Sequence, residues 1–312
     1  MLIVKNTEHF RIEKPSIVTI GTFDGVHVGH QKILSRLAEL KARTGLQTIV
    51  LTFDPHPRKV LFPGQKDLRL ITLVNEKLSL LEQYGVDVTV VYPFTHAFSE
   101  LDAEQYIQHI LVEQLKTKHL VIGYDHRFGK GRSGDIQVLK EAAAKGAFKV
   151  EEISALDIDN IAVSSTKIRK ALEEGNLQHA QEFLGHTFEL EAEVVHGKKL
   201  GRQLGYPTAN LDVPAEKILP KNGVYFVKVA VQGSYYYGMM NIGTNPTTDL
   251  NRKIKAEVNI FDFDADIYNK RISVEFIHRL RDELKFNSLD ELVKAIHKDK
   301  EDCLQLLNAV EQ

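Results

Sequence analysis

The chain has 312 residues, of which 43% are hydrophobic and 26% charged, and its formal net charge is −2. This length allows two ordinary domains with separate cores, and the composition is that of a globular protein without a general nucleic-acid or membrane surface. The single cysteine, Cys303, excludes an intrachain disulfide and a cysteine-based zinc cluster. No apolar run approaches the ~20 residues of a membrane span, and no signal peptide is recognisable, so we expect a cytoplasmic protein.

Strand-like and helix-like segments alternate through the first half of the chain. Near-continuous apolar strands with helical segments between them are typical of a parallel sheet covered on both faces. The sequence therefore predicts an α/β domain of Rossmann-like architecture, whose ligands bind outside the carboxyl ends of the strands. The predicted strands are 16–20, 47–53, 87–92, 120–123 and 149–153, with helical segments near 33–40, 75–84, 102–115 and 135–145.

The second half begins with two short helical segments, 166–174 and 177–184, and then becomes rich in strands and turns. Gln232-Gly233-Ser234 is a predicted hairpin turn, and helical periodicity returns only from about residue 288. We predict a small antiparallel β-barrel with a C-terminal helix, and a boundary at Gly185-His186 that gives domains 1–185 and 186–312. The predicted barrel strands are 188–196, 224–231, 235–242, 255–263 and 271–277.

The segment Gly21-Thr22-Phe23-Asp24-Gly25-Val26-His27-Val28-Gly29-His30 joins the first strand to the first helix. Gly25 and Gly29 allow close approach of the backbone, and a helix N-terminus presents free N–H groups and a positive dipole end to an anion. His27 and His30 can donate to the same phosphate, which suits nucleotidyl transfer. The alternative is a pair of surface or capping histidines, because the four-residue pattern alone is weak.

Three later segments of the first half also carry polar side chains after strands or at a helix start. The loop 54–57 holds Pro55 and His56, and the glycine-rich, basic segment 123–134 suits a triphosphate, although it lacks the Gly-Lys-Ser/Thr ending of a Walker A loop. Segment 163–169 opens a helix with three hydroxyls and offers Lys167 and Arg169. An ordinary loop histidine and a capped helix start remain the alternatives.

The second half carries its own glycine-rich basic segment, at 196–210. Gly201, Arg202 and Gly205 suggest a flap around phosphate, and Thr208 and Asn210 offer neutral oxygen ligands of the kind Mg²⁺ accepts beside phosphate oxygens. A plain connection between barrel strands is an equal alternative on these residues alone.

The four segments of the first half resemble, in this order, the FAD synthetase module of the prokaryotic bifunctional riboflavin kinase/FAD synthetases, over most of residues 1–185. The resemblance implies that His27 and His30 are catalytic. The carboxylate of Asp24 would help hold Mg²⁺ or position a histidine, and His126 stands where phenylalanine is common. By the same resemblance, ATP is bound by Gly21, Phe23, Asp24, Gly29, Ser165 and Arg169, and the flavin and nucleotide pockets are lined by Pro55, His56, Asp125, Arg127 and Phe128.

The second half resembles riboflavin kinase over most of residues 187–312, through Gly-Tyr-Pro-Thr-Ala-Asn at 205–210, Asn-Ile-Gly-Thr-Asn-Pro-Thr at 241–247, and Glu257. The resemblance implies that Glu257 is the general base for the ribityl 5′-hydroxyl and that Arg281 and Phe286 bind the flavin. Without this resemblance, the alternating pattern of the strand predicts only that the Glu257 side chain faces outward. Asn259 and Asn269 depart from a frequent histidine and a usual glycine of that family.

Together the resemblances imply an enzyme that phosphorylates riboflavin to FMN and adenylylates FMN to FAD, with ATP as co-substrate at both sites and Mg²⁺ as cofactor. A nucleotidyltransferase with another acceptor and a non-catalytic flavin or nucleotide sensor are the alternatives. A dehydrogenase is disfavoured because no Gly-x-Gly-x-x-Gly follows the first strand. We expect small-molecule partners, with no nucleic acid and no membrane, and the oligomeric state is not readable from the sequence.

Overall fold

The computed structural model describes residues 1–5, 10–64, 68–154, 163–197, 200–244 and 254–310. Packing divides the chain into two compact units, Met1–Ser165 and Thr166–Gln312. Each unit has its own sheet, as the change of pattern along the sequence predicts.

The first unit is built on a six-stranded sheet in which all neighbouring strands are parallel, in the order β1-β4-β3-β2-β5-β6. Every residue of the central strand β2 is buried, as expected for a sheet covered on both faces. The predicted Rossmann-like sheet is confirmed, with one short edge strand, β1, that the sequence analysis did not predict. The strands are β1 Leu2–Val4, β2 Ser16–Ile20, β3 Gln47–Phe53, β4 Val88–Tyr92, β5 Thr117–Gly123 and β6 Lys149–Ile153.

The helices of the first unit include one with unusual hydrogen bonding. The predicted helix at 102–115 is present as a short α-helix that continues as a π-helix, Tyr106–Gln114, whose end is closed by the bond from Leu115 N to Ile110 O at 3.0 Å. Residue spacing alone does not distinguish this i→i+5 pattern from an α-helix. The α-helices are α1 Val28–Thr44, α2 Pro57–Leu61, α3 Val74–Gln83, α4 His96–Ser99, α5 Ala103–Gln105 and α6 Ile136–Ala144.

Strand β2 marks the point where the strand order of the sheet reverses. The chain leaves β2 through α1 to reach β3 on one side, while β5 pairs with β2 on the other. A crevice forms at the carboxyl ends of strands around such a switch point. The turn that carries His27 and His30 follows β2, so the topology places it at this crevice.

The second unit is a closed barrel of antiparallel strands in the order β10-β11-β8-β7-β12-β9. Closure pairs every strand on both sides and so removes the exposed edges of an open sheet. The predicted barrel is confirmed, although the four-residue strand β8 was not predicted and β12 is longer than predicted. The strands are β7 Glu189–Val195, β8 Ala209–Asp212, β9 Gly223–Val231, β10 Ser234–Thr244, β11 Ile254–Ile260 and β12 Arg271–Arg281.

Two helices that precede the barrel in sequence pack with it. Lys221 N donates to Leu172 O at 2.9 Å, and Gln181 Nε2 donates to Phe276 O at 2.5 Å. The predicted functional boundary at 185/186 therefore stays a prediction, distinct from the packing boundary after Ser165. The helices of this part are α7 Ser165–Glu174, α8 Leu177–Leu184, α9 Leu200–Gln203 and α10 Leu289–Val310.

Across the described ranges, the helices are too short or too polar to cross a membrane.

Candidate active sites

The turn between β2 and α1 is held in a strained backbone conformation. Phe23 and Val26 have φ of 47° and 39°, values that side chains with a Cβ rarely adopt and that are costly for β-branched valine. Their side chains are 1% and 0% exposed in one apolar cluster, so burial offsets the strain. Strain of this kind persists where the surrounding structure fixes the chain, and it is common at functional sites.

The two histidines lie stacked at the start of α1. His27 is the residue before the first helical turn, and its side chain does not cap that helix. The ring centroids of His27 and His30 are 3.7 Å apart with 16° between the planes, and Phe23 packs against His30 at 4.8 Å. Because the first turn of α1 has no acidic residue, this end of the helix is suited to an anion.

The environment of His30 favours its neutral form. Burial lowers the pKa of His30 well below the usual 6.5, with further lowering by the charges of His27 and Lys77. Within the described ranges, Nδ1 of His30 is buried and has no hydrogen-bond partner. A buried nitrogen of this kind needs a partner from a ligand or water to avoid the cost of an unmade bond.

The carboxylate of Asp24 orders a neighbouring loop. Its Oδ1 accepts hydrogen bonds from Ile71 N at 2.9 Å and Thr72 N at 3.0 Å, and Thr72 Oγ1 accepts from Gly25 N at 2.9 Å. Ser165 reaches the same turn, where its Oγ donates to Asp24 O at 3.1 Å. These contacts fasten the loop at Ile71 and Thr72 to the turn and place Ser165 beside it, while the predicted roles of Asp24 toward Mg²⁺ or a histidine stay predictions.

The loop after β3 holds the predicted pocket residues Pro55 and His56. Asp54–Pro55 is a cis peptide bond, and Asp54 N donates to Tyr92 O at 3.1 Å. His56 precedes α2, and its Nδ1 accepts from Arg58 N at 3.2 Å. His56 therefore caps a short helix, and its role toward flavin or nucleotide stays a prediction.

The glycine-rich segment after β5 is fastened by reciprocal bonds between Phe128 and Gly134, at 3.1 and 2.9 Å. Phe128 is 6% exposed and packs against Tyr106 at 5.0 Å, so its side chain belongs to the core. Arg127 pairs with Asp135 at 2.8 Å, while the side chain of Asp125 is exposed. Phe128 is thus buried in the core, whereas Arg127 and Asp125 are exposed. The contacts of these three residues with a ligand stay predictions.

The sequence analysis did not single out Lys77, which lies beneath the turn. Lys77 is 5% exposed, and its Nζ donates to Thr22 O at 3.0 Å and Thr52 Oγ1 at 2.9 Å. Burial lowers its pKa to about 8, and the charges of Asp24 and Asp54 oppose that shift. A sequence signal exists, because Lys77 occupies the apolar face of α3 together with Leu78 and Leu81.

A cavity of about 320 Å³ lies between strands of the barrel and helix α10, and several predicted kinase residues line it. In the barrel register, Glu257 is opposite Asn210 on β8 and Asn241 on β10. Directly paired strand residues point to the same face, so these three side chains form one polar row. The predicted residues lining the cavity are Gly201, Thr208, Glu257, Arg281 and Phe286, whereas Arg202, Gly205 and Asn210 are not among its lining residues.

The loop that leads into β8 is tightly packed. A Cβ added at Gly201 would lie 2.3 Å from Tyr206 O, and Gly205 has φ +82°, so both positions need glycine. Asn259, one of the departures from the family pattern, donates through Nδ2 to Pro207 O at 2.6 Å. Lys198 and Lys199, in the same basic segment, lie outside the described residues.

The other departure, Asn269, has φ 59°. Asparagine tolerates this left-handed conformation better than most residues, which explains why it can replace glycine in the turn. Its N donates to Val194 O at 2.9 Å, which fastens the turn to the barrel.

The C-terminal helix contributes to the cavity wall. Arg281 forms a two-point ion pair with Asp299, with Nε to Oδ1 at 2.7 Å and Nη2 to Oδ2 at 2.6 Å. Tyr206 OH and His297 Nδ1 are 2.5 Å apart. Helix α10 therefore holds both Arg281 and the loop before Thr208, which the apolar periodicity of the helix did not reveal.

A preformed metal cluster is not seen in the described part of the chain, where no three His, Cys, Asp or Glu side chains converge to hold an ion. The neutral oxygens of Thr208 and Asn210 are of the kind that Mg²⁺ accepts together with nucleotide phosphates. Asn245, Pro246 and Thr247, at the end of the motif that begins at Asn241, lie outside the described residues.

Comparison with known proteins assigns the two halves separately. A family model described as FAD synthetase matches residues 9–167, and one described as riboflavin kinase matches residues 184–307. The chain is similar to proteins named bifunctional riboflavin kinase/FMN adenylyltransferase. The one from Listeria monocytogenes is 37% identical over 92% of this chain and 90% of the relative. The one from Escherichia coli K12 is 38% identical over 91% of this chain and 90% of the relative. One from Buchnera aphidicola of Schizaphis graminum is 38% identical over 96% of both chains.

A solved structure with the same fold is described as a macrolide-efflux protein from Streptococcus pneumoniae. It has a TM-score of 0.86 and 31% identity, covering 96% of this chain and 98% of that one. The likeness extends over both halves, which agrees with the order of the two family matches.

Proposed function

The chain belongs to the bifunctional riboflavin kinase/FMN adenylyltransferase family, and from this membership we propose that it converts riboflavin to FMN and then FMN to FAD, using ATP in both steps. The observation that carries the proposal is the presence of two separate constellations. One is the stacked histidine pair at the start of α1. The other is Glu257, which lines the cavity between the barrel and α10 and is paired in the strand register with Asn210 and Asn241.

In the adenylyl-transfer step, a phosphate oxygen of FMN attacks the α-phosphorus of ATP in line, and pyrophosphate leaves. No covalent nucleophile is required, so the protein's contribution is positioning and stabilisation of charge. His27, His30 and the N-terminus of α1 receive the phosphates, with Ser165 and Arg169 as further ligands. The turn residues Gly21, Phe23, Asp24 and Gly29 hold this arrangement, and Pro55, His56, Asp125, Arg127 and Phe128 form or support the walls around flavin and nucleotide.

In the kinase step, Glu257 accepts the proton of the ribityl 5′-hydroxyl as its oxygen bonds to the γ-phosphorus of ATP and ADP leaves. Arg281 and Phe286 hold the flavin, and the loop with Gly201, Arg202 and Gly205 covers the phosphates. Thr208 and Asn210 would hold Mg²⁺ together with phosphate oxygens; when bound, the ion neutralises charge on the transferring phosphoryl group.

The proposed division of labour assigns adenylyl transfer to residues 1–185 and riboflavin phosphorylation to residues 186–312. The partners are small molecules, with no nucleic acid and no membrane, and the reactions take place in the cytoplasm.

Labelled ATP tests the two steps together. Protein incubated with riboflavin, Mg²⁺ and ATP carrying ³²P in the γ position should give label in FMN and later in FAD, whereas α-labelled ATP should label FAD but not FMN. Flavins separated by chromatography over time report both results. Unchanged riboflavin with folded protein would contradict the proposal, and α-label in a product other than FAD would indicate a different acceptor.

A further inference from the structure

A buried lysine lies beneath the phosphate-binding turn and has no part in the proposed kinase and adenylyl-transfer steps. Lys77 is 5% exposed on the apolar face of α3. Burying an ammonium group is costly unless it is paired and hydrogen-bonded. A lysine kept at such a position indicates that its charge has a function.

The contacts of Lys77 join the ends of two strands under the turn. Its Nζ donates to Thr22 O at 3.0 Å and to Thr52 Oγ1 at 2.9 Å. Thr52 Oγ1 itself donates to Thr22 O at 3.1 Å, so this carbonyl would keep a partner without Lys77. Satisfying the backbone therefore does not by itself require a lysine at this position.

The charged groups around Lys77 come from each element packed on it. Asp24 lies in the turn after β2, and Asp54 follows β3. His30 on α1 is the further titratable group on which Lys77 acts, and His27 acts on His30 from the same turn. Lys77 thus lies near two carboxylates, Asp24 and Asp54, and acts on one histidine, His30.

We propose that Lys77 is a positioning residue for adenylyl transfer, which supplies a fixed positive charge beneath the phosphate-binding turn. Its hydrogen bonds to Thr22 O and Thr52 Oγ1 hold this charge in place below the turn that carries His30. This inference rests on the proposed function of the first unit. Fixed charges in a site shielded from water stabilise developing negative charge without reorganising during the reaction. The effect is on the transition state, so it changes kcat more than the KM for ATP.

The same charge is expected to cost stability. The pKa of Lys77 is lowered from 10.5 to about 8 by burial, so the folded state binds a proton there less readily than the unfolded state does. Replacing Lys77 by methionine, which is similar in length and apolar, should leave the melting temperature unchanged or raise it. A lysine with a purely structural role predicts the opposite.

The test compares Lys77→Met and Lys77→Arg with the exposed control Lys140→Met. For Lys77→Met we expect kcat for FAD formation from supplied FMN to fall about tenfold or more, less than the 10²–10³ of a lost direct donor. Its KM for ATP should change little, its melting temperature should not fall, and riboflavin phosphorylation should be unchanged. Lys77→Arg, which keeps the charge, should retain most of the adenylyl-transfer rate, as should Lys140→Met.

Several results would overturn the inference. One is a kcat of Lys77→Met for FAD formation within about twofold of the parent value. A second is a loss of that rate together with a lower melting temperature. A third is an equal loss of rate in Lys77→Met and Lys77→Arg. A parent that makes no FAD would instead contradict the proposed function, so the two failures are distinguishable.

Discussion

At the scale of single residues, the proposed adenylyl-transfer centre is organised by burial of groups that are usually exposed. His30, Lys77 and Asp24 all lie at the same turn, and the carboxylate of Asp24 is engaged by backbone N–H groups. Removing such groups from water lowers the pKa values of His30 and Lys77. The positive charge at this centre therefore comes from Lys77 and from helix α1 more than from the histidine ring.

The lowered pKa of His30 makes a prediction about stability against pH. Below about pH 6.5 the unfolded chain gains a proton at this histidine while the folded protein does not, so folding becomes less favourable as the pH falls. His30→Gln removes this contribution, which is at most about 1.4 kcal/mol per pH unit. Between pH 7.5 and 5.5 the melting temperature of His30→Gln should therefore fall less than that of the parent.

The exposed His96 provides a matched control for this measurement. His96→Gln should follow the parent across the same pH range. An equal fall in all three proteins would show that His30 takes up its proton in the folded state as easily as in the unfolded state, and would contradict this prediction.

Individual residues also show what the sequence can and cannot predict. The motif around His27 and His30 predicted the helix N-terminus on which they lie, because strand, glycine and helix patterns coincide there. It did not predict that Phe23 and Phe128 are buried, since an aromatic residue beside a ligand motif suits a core and a pocket equally well. Lys77 was missed because helix periodicity was read from apolar residues, although a charge on the apolar face is itself a signal.

At the scale of secondary-structure elements, helix α10 organises the proposed kinase cavity. Arg281 lies at the end of β12, and its guanidinium is held by Asp299, whose side chain is 5% exposed. A two-point pair fixes the orientation of a guanidinium as well as its position. The helix thus orients a proposed flavin-binding residue through a contact that joins distant parts of the sequence.

Asp299→Asn tests this contact. The change keeps the shape of the side chain but removes its charge, so we expect about 2 kcal/mol of lost stability, below the ~3–5 kcal/mol for a fully buried pair because Arg281 is partly exposed. The KM for riboflavin should rise about tenfold, which corresponds to ~1.4 kcal/mol. FAD formation from supplied FMN should be unchanged.

The exposed Asp290, on the same helix, is the matched control. Asp290→Asn should leave the KM for riboflavin unchanged. It should lower the unfolding free energy by no more than about 0.3–1 kcal/mol, because Asp290 lies in the first turn of the helix. A KM for riboflavin equal to that of the parent in Asp299→Asn would show that Arg281 does not need the ion pair with Asp299 to contribute to riboflavin binding.

Elements of ordinary length were predictable, and the exceptions have physical reasons. Strands β1 and β8 are too short to show an alternating pattern, and both form because a neighbouring strand supplies the hydrogen bonds. The buried residues of the π-helix Tyr106–Gln114 have a spacing that also fits an α-helix, so the apolar pattern does not distinguish the two. The partnership of Glu257 with Asn210 and Asn241 depends on barrel register, which single strands do not specify.

At the scale of the whole molecule, one chain carries two folds with different chemistry. At the switch point of the parallel sheet lies the N-terminus of helix α1, the proposed phosphate site. In the second unit, Glu257 borders the cavity between the barrel and helix α10. The product of the proposed barrel reaction is the substrate of the proposed sheet reaction. Membership in the bifunctional family agrees with this order of steps, and the central claim is that each step has its own site.

Separation of the two activities by single substitutions tests this claim most directly. His30→Ala and Glu257→Ala are incubated with riboflavin or FMN and Mg-ATP, beside the exposed controls His96→Ala and Glu193→Ala, and flavins are followed by chromatography. His30→Ala should accumulate FMN, with FAD formation slowed by about 10²–10³. Glu257→Ala should leave riboflavin nearly unconverted, slowed by about 10²–10⁴, yet make FAD from supplied FMN at the parent rate. Loss of both activities in either folded variant, or full activity in either, would contradict the account.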